Sequence, residues 1–259
     1  IDPGAARRLA NFEAVLANNP QASLIDPLSG IRPLLNRAEM QRVLADVISE
    51  FHLDAALPNW VTIPSMSTTP EIAAVLEAAH MRAPYVCKSE AACGVPHSHD
   101  MAVFSDATQL EHFPVPAPFT IQEFHNHGAV IFKIYVLGGE WFVHPGPSLP
   151  DASATAELTP FNSQQLKLNT DPAAAEMRQK SLVMLKENKK TLVDSIVAAV
   201  AQKFGLGLFG LDLLLSSVSG KMYIVDANYF PGYSGVAQFH DKLTDFIKSR
   251  AREKQNINT

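Results

Sequence analysis

Asp212, Asp226 and Asn228 have the residue types and the spacing of a metal site. The first lies in the apolar stretch LFGLDLLL, and the other two lie in the β-rich stretch KMYIVDANY. If residues 218–220 form a three-residue hairpin loop, with Gly220 in the left-handed conformation, Asp212 faces Asp226 directly. Asn228 then points to the same face, because side chains alternate along a strand.

Two facing carboxylates predict a divalent cation. Their Cβ atoms would lie roughly 5 Å apart, where the two charges repel unless a cation stands between them. Two Asp and one Asn provide the hard oxygen ligands that Mg²⁺ prefers. The alternative is that each Asp pairs with a lysine or an arginine. The register, in which Ser217 pairs with Lys221, is open to a slip of one residue that would separate the two carboxylates.

Three cations stand on the elements that precede this hairpin. Lys88 ends the apolar strand 83–88, Lys133 lies on the less buried face of the alternating strand 130–136, and Arg37 begins a helix over 38–51. A cation at the exit of a buried strand is well placed to meet a phosphate. Before any family comparison, solvated side chains are the favoured explanation for both Lys88 and Arg37.

The remaining pattern alternates short strands with helices, which predicts an α/β protein. Thr69 is the expected N-cap of the third helix, and 188–190 are a possible break in the long helical stretch. Residues 89–101, with His97 and His99, and residues 151–171 are expected to be loops. The other predicted helices cover 1–19, 69–79, 107–112, 172–203 and 236–253, and the other strands cover 59–65, 102–104, 118–124 and 140–144.

Composition narrows the class of protein. The chain has 259 residues with 47% hydrophobic and 18% charged side chains, as in ordinary globular domains. A formal charge of −5 argues against nucleic-acid binding, and no apolar run is long enough for a membrane span. Only Cys87 and Cys93 are present, without the spacing of a zinc or redox site, so we expect reduced thiols and a cytoplasmic protein.

Eight blocks in order resemble the inositol 1,3,4-trisphosphate 5/6-kinases, also called inositol-tetrakisphosphate 1-kinases. The resemblance extends from about Leu24 to Phe246 and is most specific in the fourth and eighth blocks. The blocks are LIDPLSGIRPLLNR, YVCK, GVPHSHDM, QEFHNHGAVIFK, PSLP, FNS, LFGLD and VDANYFPGYSGV. The resemblance implies the ATP-grasp fold, an α+β arrangement in which ATP lies between the sheets of two α/β subdomains.

The resemblance also implies a role for each candidate residue. ATP would lie against residues 121–124, including Gln122, Glu123 and Phe124, with further contacts from Arg37, Lys88, Ser148 and Ser163. Two Mg²⁺ ions would be held by Asp212, Asp226 and Asn228. The inositol polyphosphate would face Arg37, His99, Lys133, Asn228 and the backbone of Gly232. Lys133, His99 and Asp226 would be the catalytic residues, and phosphoryl transfer needs no protein nucleophile, because positioning and charge neutralisation suffice.

The same family implies a division of the chain into a remnant of an N-terminal domain over 1–38, a central subdomain over 39–121 and a C-terminal subdomain over 122–259. We expect a monomer. Without the rest of the N-terminal domain, helix 1–19 would expose an apolar stripe, and affinity for inositol phosphate should fall.

Two further departures from the family pattern leave questions open. The loop GVPHSHDM has one residue more than expected, so either His97 or His99 faces the substrate. Gly146 stands where family members often carry an arginine, so one phosphate contact is absent or comes from elsewhere.

Three rival functions remain at this stage. An ATP-grasp carboxylate-amine ligase would share the ATP and Mg²⁺ contacts. The two pairs His97-x-His99 and His125-x-His127 allow a zinc or iron site. A non-catalytic phosphate-binding module is the third, although the complete set of two Asp and one Asn argues against it.

Overall fold

The computed structural model describes residues 3–19, 22, 24–64, 67–92, 97–112 and 118–257. The helices over these residues are α1 (Pro3–Asn18), α2 (Leu28–Ile31), α3 (Arg37–Glu50), α4 (Thr69–Ala78), α5 (Pro172–Asn188), α6 (Lys190–Phe204) and α7 (Phe239–Ile257), with 3-10 turns at Arg32–Leu35 and Ala107–His112. The strands are β1 (Ala55–Ala56), β2 (Trp60–Ile63), β3 (Tyr85–Ser89), β4 (Asp100–Phe104), β5 (Phe119–Glu123), β6 (Val130–Leu137), β7 (Glu140–Pro147), β8 (Thr159–Asn162), β9 (Leu208–Leu215) and β10 (Met222–Tyr229). None of the helices described is long and apolar enough to cross a lipid bilayer.

The strands form two five-stranded sheets. The first sheet has the order β2-β5-β3-β4-β8, and the second has the order β1-β10-β9-β6-β7. Neighbouring strands are antiparallel except β1 and β10, which are parallel. The sheets do not follow the chain in two blocks, because the late strand β8 completes the first sheet and the early strand β1 completes the second. The subdomain boundary at 121–122 stays a prediction.

The main core lies between the second sheet and helices α3 and α6. On β6 the side chains of Val130, Phe132, Ile134 and Val136 are buried in this core. The alternate residues of β6, including Lys133, point to the opposite face. The alternation predicted from the sequence is therefore confirmed, and it leaves Lys133 free to face the first sheet.

The block LIDPLSG, residues 24–30, has a structural role next to the site. The buried carboxylate of Asp26 accepts hydrogen bonds from the backbone N–H groups of Gly207 (2.6 Å) and Leu208 (3.0 Å) at the start of β9. A Cβ atom on Gly30 would lie 1.9 Å from the carbonyl oxygen of Phe204, so only glycine allows this close approach to the end of α6. The block therefore fixes where β9 begins.

The β9–β10 hairpin differs from the predicted register and then returns to it. The backbone N–H of Ser216 donates to the carbonyl of Lys221, so the pairing next to the loop is shifted by one residue from the predicted Ser217–Lys221 pair. A β-bulge between Ile224 and Asp226 absorbs the extra residue. Beyond the bulge Asp226 pairs with Asp212, as predicted, while Gly220 has φ +68°, as its expected left-handed conformation requires.

Three local predictions are wrong. The N-cap of α4 is Thr68 rather than Thr69, because Glu71 accepts the Thr68 backbone N–H and completes a capping box. The stretch 151–171 is not all loop, since β8 pairs with β4 from Asp100↔Asn162 to Val103↔Thr159. Strand β4 correspondingly begins at Asp100, two residues before the predicted start. Polar β8 lacks the alternating pattern that would have marked it as a strand.

The other predicted boundaries are close to the structure. The long helical stretch breaks at Lys189, between α5 and α6, as its sequence indicated. Helix α1 exposes Phe12 and Val15, which are 43% and 57% accessible. Cys87 is a buried free thiol, while Cys93 and the expectation about it lie outside the described residues, as does Gly94.

Candidate functional site

A cavity of about 630 Å³ lies between the two sheets. Thirteen of the residues to which the sequence analysis gave a role line it. These residues are Arg37, Lys88, His99, Gln122, Glu123, Phe124, Lys133, Ser148, Ser163, Asp212, Asp226, Asn228 and Gly232. Their possible roles depend on the partners of each side chain, and these partners differ between the two sides of the cavity.

On the second sheet, Lys133, Asp212 and Asp226 stand side by side on β6, β9 and β10, and we call them the acidic row. The Lys133 Nζ lies 3.3 Å from Asp212 Oδ2 and 3.5 Å from Oδ1. The charge of Asp212 raises the pKa of Lys133 above its ordinary value. Burial raises the pKa of Asp212, the nearby ammonium of Lys133 opposes that rise, and the carboxylate of Asp226 adds to it.

The acidic row fits a divalent cation. It carries two carboxylates and one ammonium, so one negative charge remains uncompensated. Asn228, two residues after Asp226 on β10, adds an amide oxygen on the same wall of the cavity. Among the described residues no three His, Cys, Asp or Glu side chains group as metal ligands, so the amide of Asn228 is needed as the third donor. Hard oxygen donors of this kind suit Mg²⁺.

On the side of the first sheet, Lys88 of β3 and Arg37 at the start of α3 form a cationic wall. The Lys88 Nζ donates to the amide oxygen of Gln122 at 2.7 Å. Burial lowers the pKa of Lys88 to about 8, Asp226 across the cavity raises it in part, and Arg37 lowers it further. Neither cation pairs with a carboxylate in the part of the chain that the structure describes.

Arg37 is not the solvated side chain that the sequence also allowed. It is only 3% accessible, and its guanidinium donates to the carbonyl oxygens of Ser89 (2.5 Å), Ala91 (3.0 Å) and Ser98 (3.3 Å). Its Nε, however, is buried without a hydrogen-bond partner. The guanidinium therefore connects the loop before β4 to the start of α3. Because its partners are neutral carbonyl groups, its positive charge is not neutralised and can bind an anion in the cavity.

Two neutral polar groups next to Lys88 also lack partners. The Oγ1 of Thr120, which pairs with Lys88 across β3 and β5, and the Nε2 of Gln122 are both buried and unbonded. A buried polar atom without a partner costs roughly 1–3 kcal/mol. A ligand that accepts hydrogen bonds at this wall would recover part of that cost.

An apolar surface lies between the cationic wall and the segment that joins the two sheets. Val86, Met101 and Val103 form a buried cluster to which Phe124 and Phe161 add partly buried rings. Next to it the Glu123 carboxylate accepts the backbone N–H of Arg82 at 2.8 Å. A flat heterocyclic ring would find apolar contacts here, with the cationic wall at one end.

The four histidines of the two HxH pairs take separate partners and do not converge. His97 is mostly exposed and bonds to Asp100 at 2.7 Å, whereas His99 lines the cavity beside Ser163. Of the two histidines left open by the sequence, His99 is thus the one at the site. His127 bonds to the Ser148 hydroxyl at 2.6 Å, and His125 stacks on Tyr223 with ring centroids 3.9 Å apart.

Sequence reasoning missed three residues that shape the cavity. His127 holds Ser148, and Asp151 accepts the backbone N–H groups of His127 and Gly128, both at 2.8 Å. Tyr135 lines the cavity two residues after Lys133. The signal for Tyr135 was available, because it shares the Lys133 face of β6. The contacts of Asp151 join residues more than 20 positions apart and had no local signal.

Comparison with known proteins gives three results. The sequence model described as the inositol 1,3,4-trisphosphate 5/6-kinase ATP-grasp domain matches residues 52–249. Two similar proteins are inositol-tetrakisphosphate 1-kinase of Danio rerio, 26% identical over 89% of this chain, and inositol-tetrakisphosphate 1-kinase 1 of Zea mays, 33% identical over 92%. The matched regions are 58% and 70% of those proteins, so the chain spans part of their length.

The fold is similar to that of solved structures as well. The crystal structure of the D-cycloserine synthetase DcsG superposes with a TM-score of 0.56 at 14% identity, over 95% of this chain and 80% of that one. At that identity the likeness concerns the fold alone.

Proposed function

This chain belongs to the inositol 1,3,4-trisphosphate 5/6-kinase family of ATP-grasp proteins, and from that premise we propose that it is an ATP- and Mg²⁺-dependent kinase of inositol polyphosphates. The reaction transfers the terminal phosphoryl group of ATP to a ring hydroxyl. The observation that carries the proposal is the cavity with a cationic wall on one sheet and an acidic row on the other. The phosphates of a metal–nucleotide complex would supply the negative charge that suits the cationic wall. Its metal ion would supply the positive charge that suits the acidic row.

ATP would bind along the first wall. The adenine ring suits the apolar surface of Val86, Met101 and Phe161 beside the joining segment Gln122–Phe124. Its phosphates would then reach Lys88 and the buried guanidinium of Arg37, which lack carboxylate partners among the described residues. Charge-assisted hydrogen bonds to phosphate are about twice as strong as neutral ones. Ser148 and Ser163 would add contacts to the nucleotide.

The acidic row would hold the metal. Asp212, Asp226 and Asn228 offer the oxygen donors, and two Mg²⁺ ions are our expectation. When bound, Mg²⁺ neutralises the charge that spreads over the transferring phosphoryl group. The chain's own part is to aim these oxygens at one point, which the β-bulge at 224–226 makes possible by restoring the Asp212–Asp226 pair.

The inositol polyphosphate would occupy the open end of the cavity near Lys133, His99, Asn228 and Gly232. Lys133 is the cation within the acidic row, and the carboxylate of Asp212 raises its pKa, which keeps the ammonium charged. Arg37 would act on the acceptor through His99, since it bonds to the carbonyl of the preceding residue, Ser98. We expect the protein to be a cytoplasmic monomer, with subdomains divided near 121–122.

The test is turnover by the purified chain. Incubation with ATP and Mg²⁺ and each of a panel of inositol tris- and tetrakisphosphates should release ADP in equal amount to a new phosphorylated inositol, measured by ion-exchange chromatography. ADP release that depends on a carboxylate and an amine instead would identify a ligase. ATP binding without product from any isomer would identify a phosphate-binding module, and either result would overturn the kinase.

A further inference from the structure

The cavity-facing side of the second sheet has a second row next to the acidic row. Its members are Tyr135 on β6, Gly210 on β9 and Asn228 on β10, which are paired as Tyr135↔Gly210 and Asn228↔Gly210. Each lies two residues along its strand from a member of the acidic row, a separation of roughly 7 Å. The second row therefore lies where an acceptor held by Lys133 would extend.

The middle residue of the second row, Gly210, has no side chain. A Cβ atom on Gly210 would lie 2.9 Å from the Cγ atom of Pro231, so the proline ring packs onto this glycine. Pro231 brings the loop with Gly232 down onto the sheet, between the side chains of Tyr135 and Asn228. Asn228 and Gly232, two of the five residues expected to face the acceptor, line the cavity together with Tyr135.

Tyr135 is mostly buried, and among the described residues its hydroxyl has no hydrogen-bond partner. The side chain is 8% accessible, and its ring lies 5.6 Å from that of Tyr233, centroid to centroid. Tyr85 is equally buried at 8%, and its hydroxyl donates to the carbonyl of Met81. The described residues give the Tyr135 hydroxyl no such bond, and its oxygen is not among the buried atoms that lack a partner, so it remains accessible to a ligand. Unlike Tyr85, Tyr135 lines the cavity.

We infer that Tyr135 binds the acceptor by donating its phenolic O–H to a phosphate oxygen of the inositol polyphosphate. The inference rests on the proposed function and adds to it a residue that the family resemblance did not supply. The rigid ring places a neutral donor beside the ammonium of Lys133, so the two together recognise a phosphate without adding charge near the acidic row. Tyr135 is therefore a residue for affinity and selectivity, and the chemical step does not require it.

The experiment compares Tyr135→Phe with the intact chain. Loss of one hydrogen bond to a charged phosphate should raise the KM for the inositol polyphosphate about tenfold, with kcat and the KM for ATP within about twofold. Tyr85→Phe is the matched control, because it removes the hydroxyl of an equally buried tyrosine that does not line the cavity, and it should leave both KM values unchanged. Binding of inositol hexakisphosphate, which has no free hydroxyl to phosphorylate, is measured by calorimetry and should weaken in Tyr135→Phe by a similar factor.

The possible results separate the two proposals. An active intact chain whose Tyr135→Phe variant keeps its acceptor KM and its inositol hexakisphosphate affinity overturns the inference alone. An equal rise in the KM for ATP also overturns it, because the hydroxyl would then serve the nucleotide. An intact chain that neither binds nor phosphorylates any inositol polyphosphate overturns the proposed function and this inference together.

Discussion

Lys88 on the first sheet and Lys133 on the second face the same cavity, but their surroundings shift their pKa values in opposite directions. Burial lowers the pKa of Lys88 to about 8, and its ammonium donates a hydrogen bond to the neutral amide oxygen of Gln122. The carboxylate of Asp212 raises the pKa of Lys133. Lys88 is a partly buried cation without a carboxylate partner among the described residues, whereas Lys133 forms an ion pair with Asp212.

The different surroundings of the two lysines indicate which ligand each side of the cavity would bind. An unpaired buried cation is costly unless a ligand supplies the opposite charge, which favours phosphate at Lys88. In the acidic row the ammonium of Lys133 pairs with Asp212, and Asp226 remains available to a metal ion. The same ammonium limits the repulsion between the two carboxylates when no metal ion is bound. The four predictions that follow test this division, beginning with the largest effect.

Asp226→Ala should abolish Mg²⁺-dependent turnover while the fold is retained. It removes one of two carboxylates at the metal site, and the several kcal/mol that a metal contributes to the transition state correspond to about a thousandfold or more in kcat. Steady-state kinetics and a thermal melt are the measurements. Asp46→Ala, at an exposed position of α3, is the control. Unchanged activity in Asp226→Ala would refute the metal assignment.

Lys88 should make ATP affinity depend on pH. Below pH 8 its ammonium is charged and available to phosphate, whereas above pH 8 the free protein must take up a proton to bind. The Kd for ATP should therefore rise with pH above about 8, by at most tenfold per pH unit. Titration calorimetry at pH 7, 8 and 9 measures it. Lys88→Arg, whose charge persists throughout, should give a flatter profile, and identical profiles would contradict the role of Lys88.

Lys133→Ala should raise the KM for the inositol polyphosphate about tenfold and the KM for ATP less. The variant removes the cation on the acceptor side of the acidic row and leaves the cationic wall intact. Lys203→Ala, which alters a surface pair with Glu50, is a charge-matched control. A larger rise in the KM for ATP would show that Lys133 contacts the nucleotide, and it would contradict the assignment of the two sides of the cavity to different ligands.

Gly146→Ala should have the smallest effect, about two- to fivefold on the acceptor KM. A Cβ atom at this position would lie 3.0 Å from Cε and 3.3 Å from Cδ of Lys133 and 3.1 Å from Cγ2 of Ile131, so both side chains must give by a few tenths of an ångström and the Lys133 contact with Asp212 is disturbed. A double-mutant cycle provides the check, because the alanine should add nothing in the Lys133→Ala background. Additive effects would show that Gly146 acts independently of Lys133.

Much of the fold could be predicted from local patterns. Alternation placed Lys133 on the face opposite Val130 and Phe132, and the break between α5 and α6 was visible in the polar residues 188–190. The polar strand β8 could not be predicted, because it owes its structure to pairing with β4 rather than to an apolar face. The N-cap of α4 was misplaced by one residue, since Thr68 and Thr69 are both acceptable caps and only the Glu71 contact separates them.

The candidate site divides in the same way. The sequence by itself determined which residues share a face and in what order the motifs occur, because strand periodicity and motif order are local properties. Only the tertiary structure decided that Arg37 is buried against Ser89 and Ser98, that Lys133 pairs with Asp212, and that a bulge corrects the hairpin register. These contacts join residues 52 to 79 positions apart or depend on one extra residue in a strand, and periodicity within a single element carries no information about either.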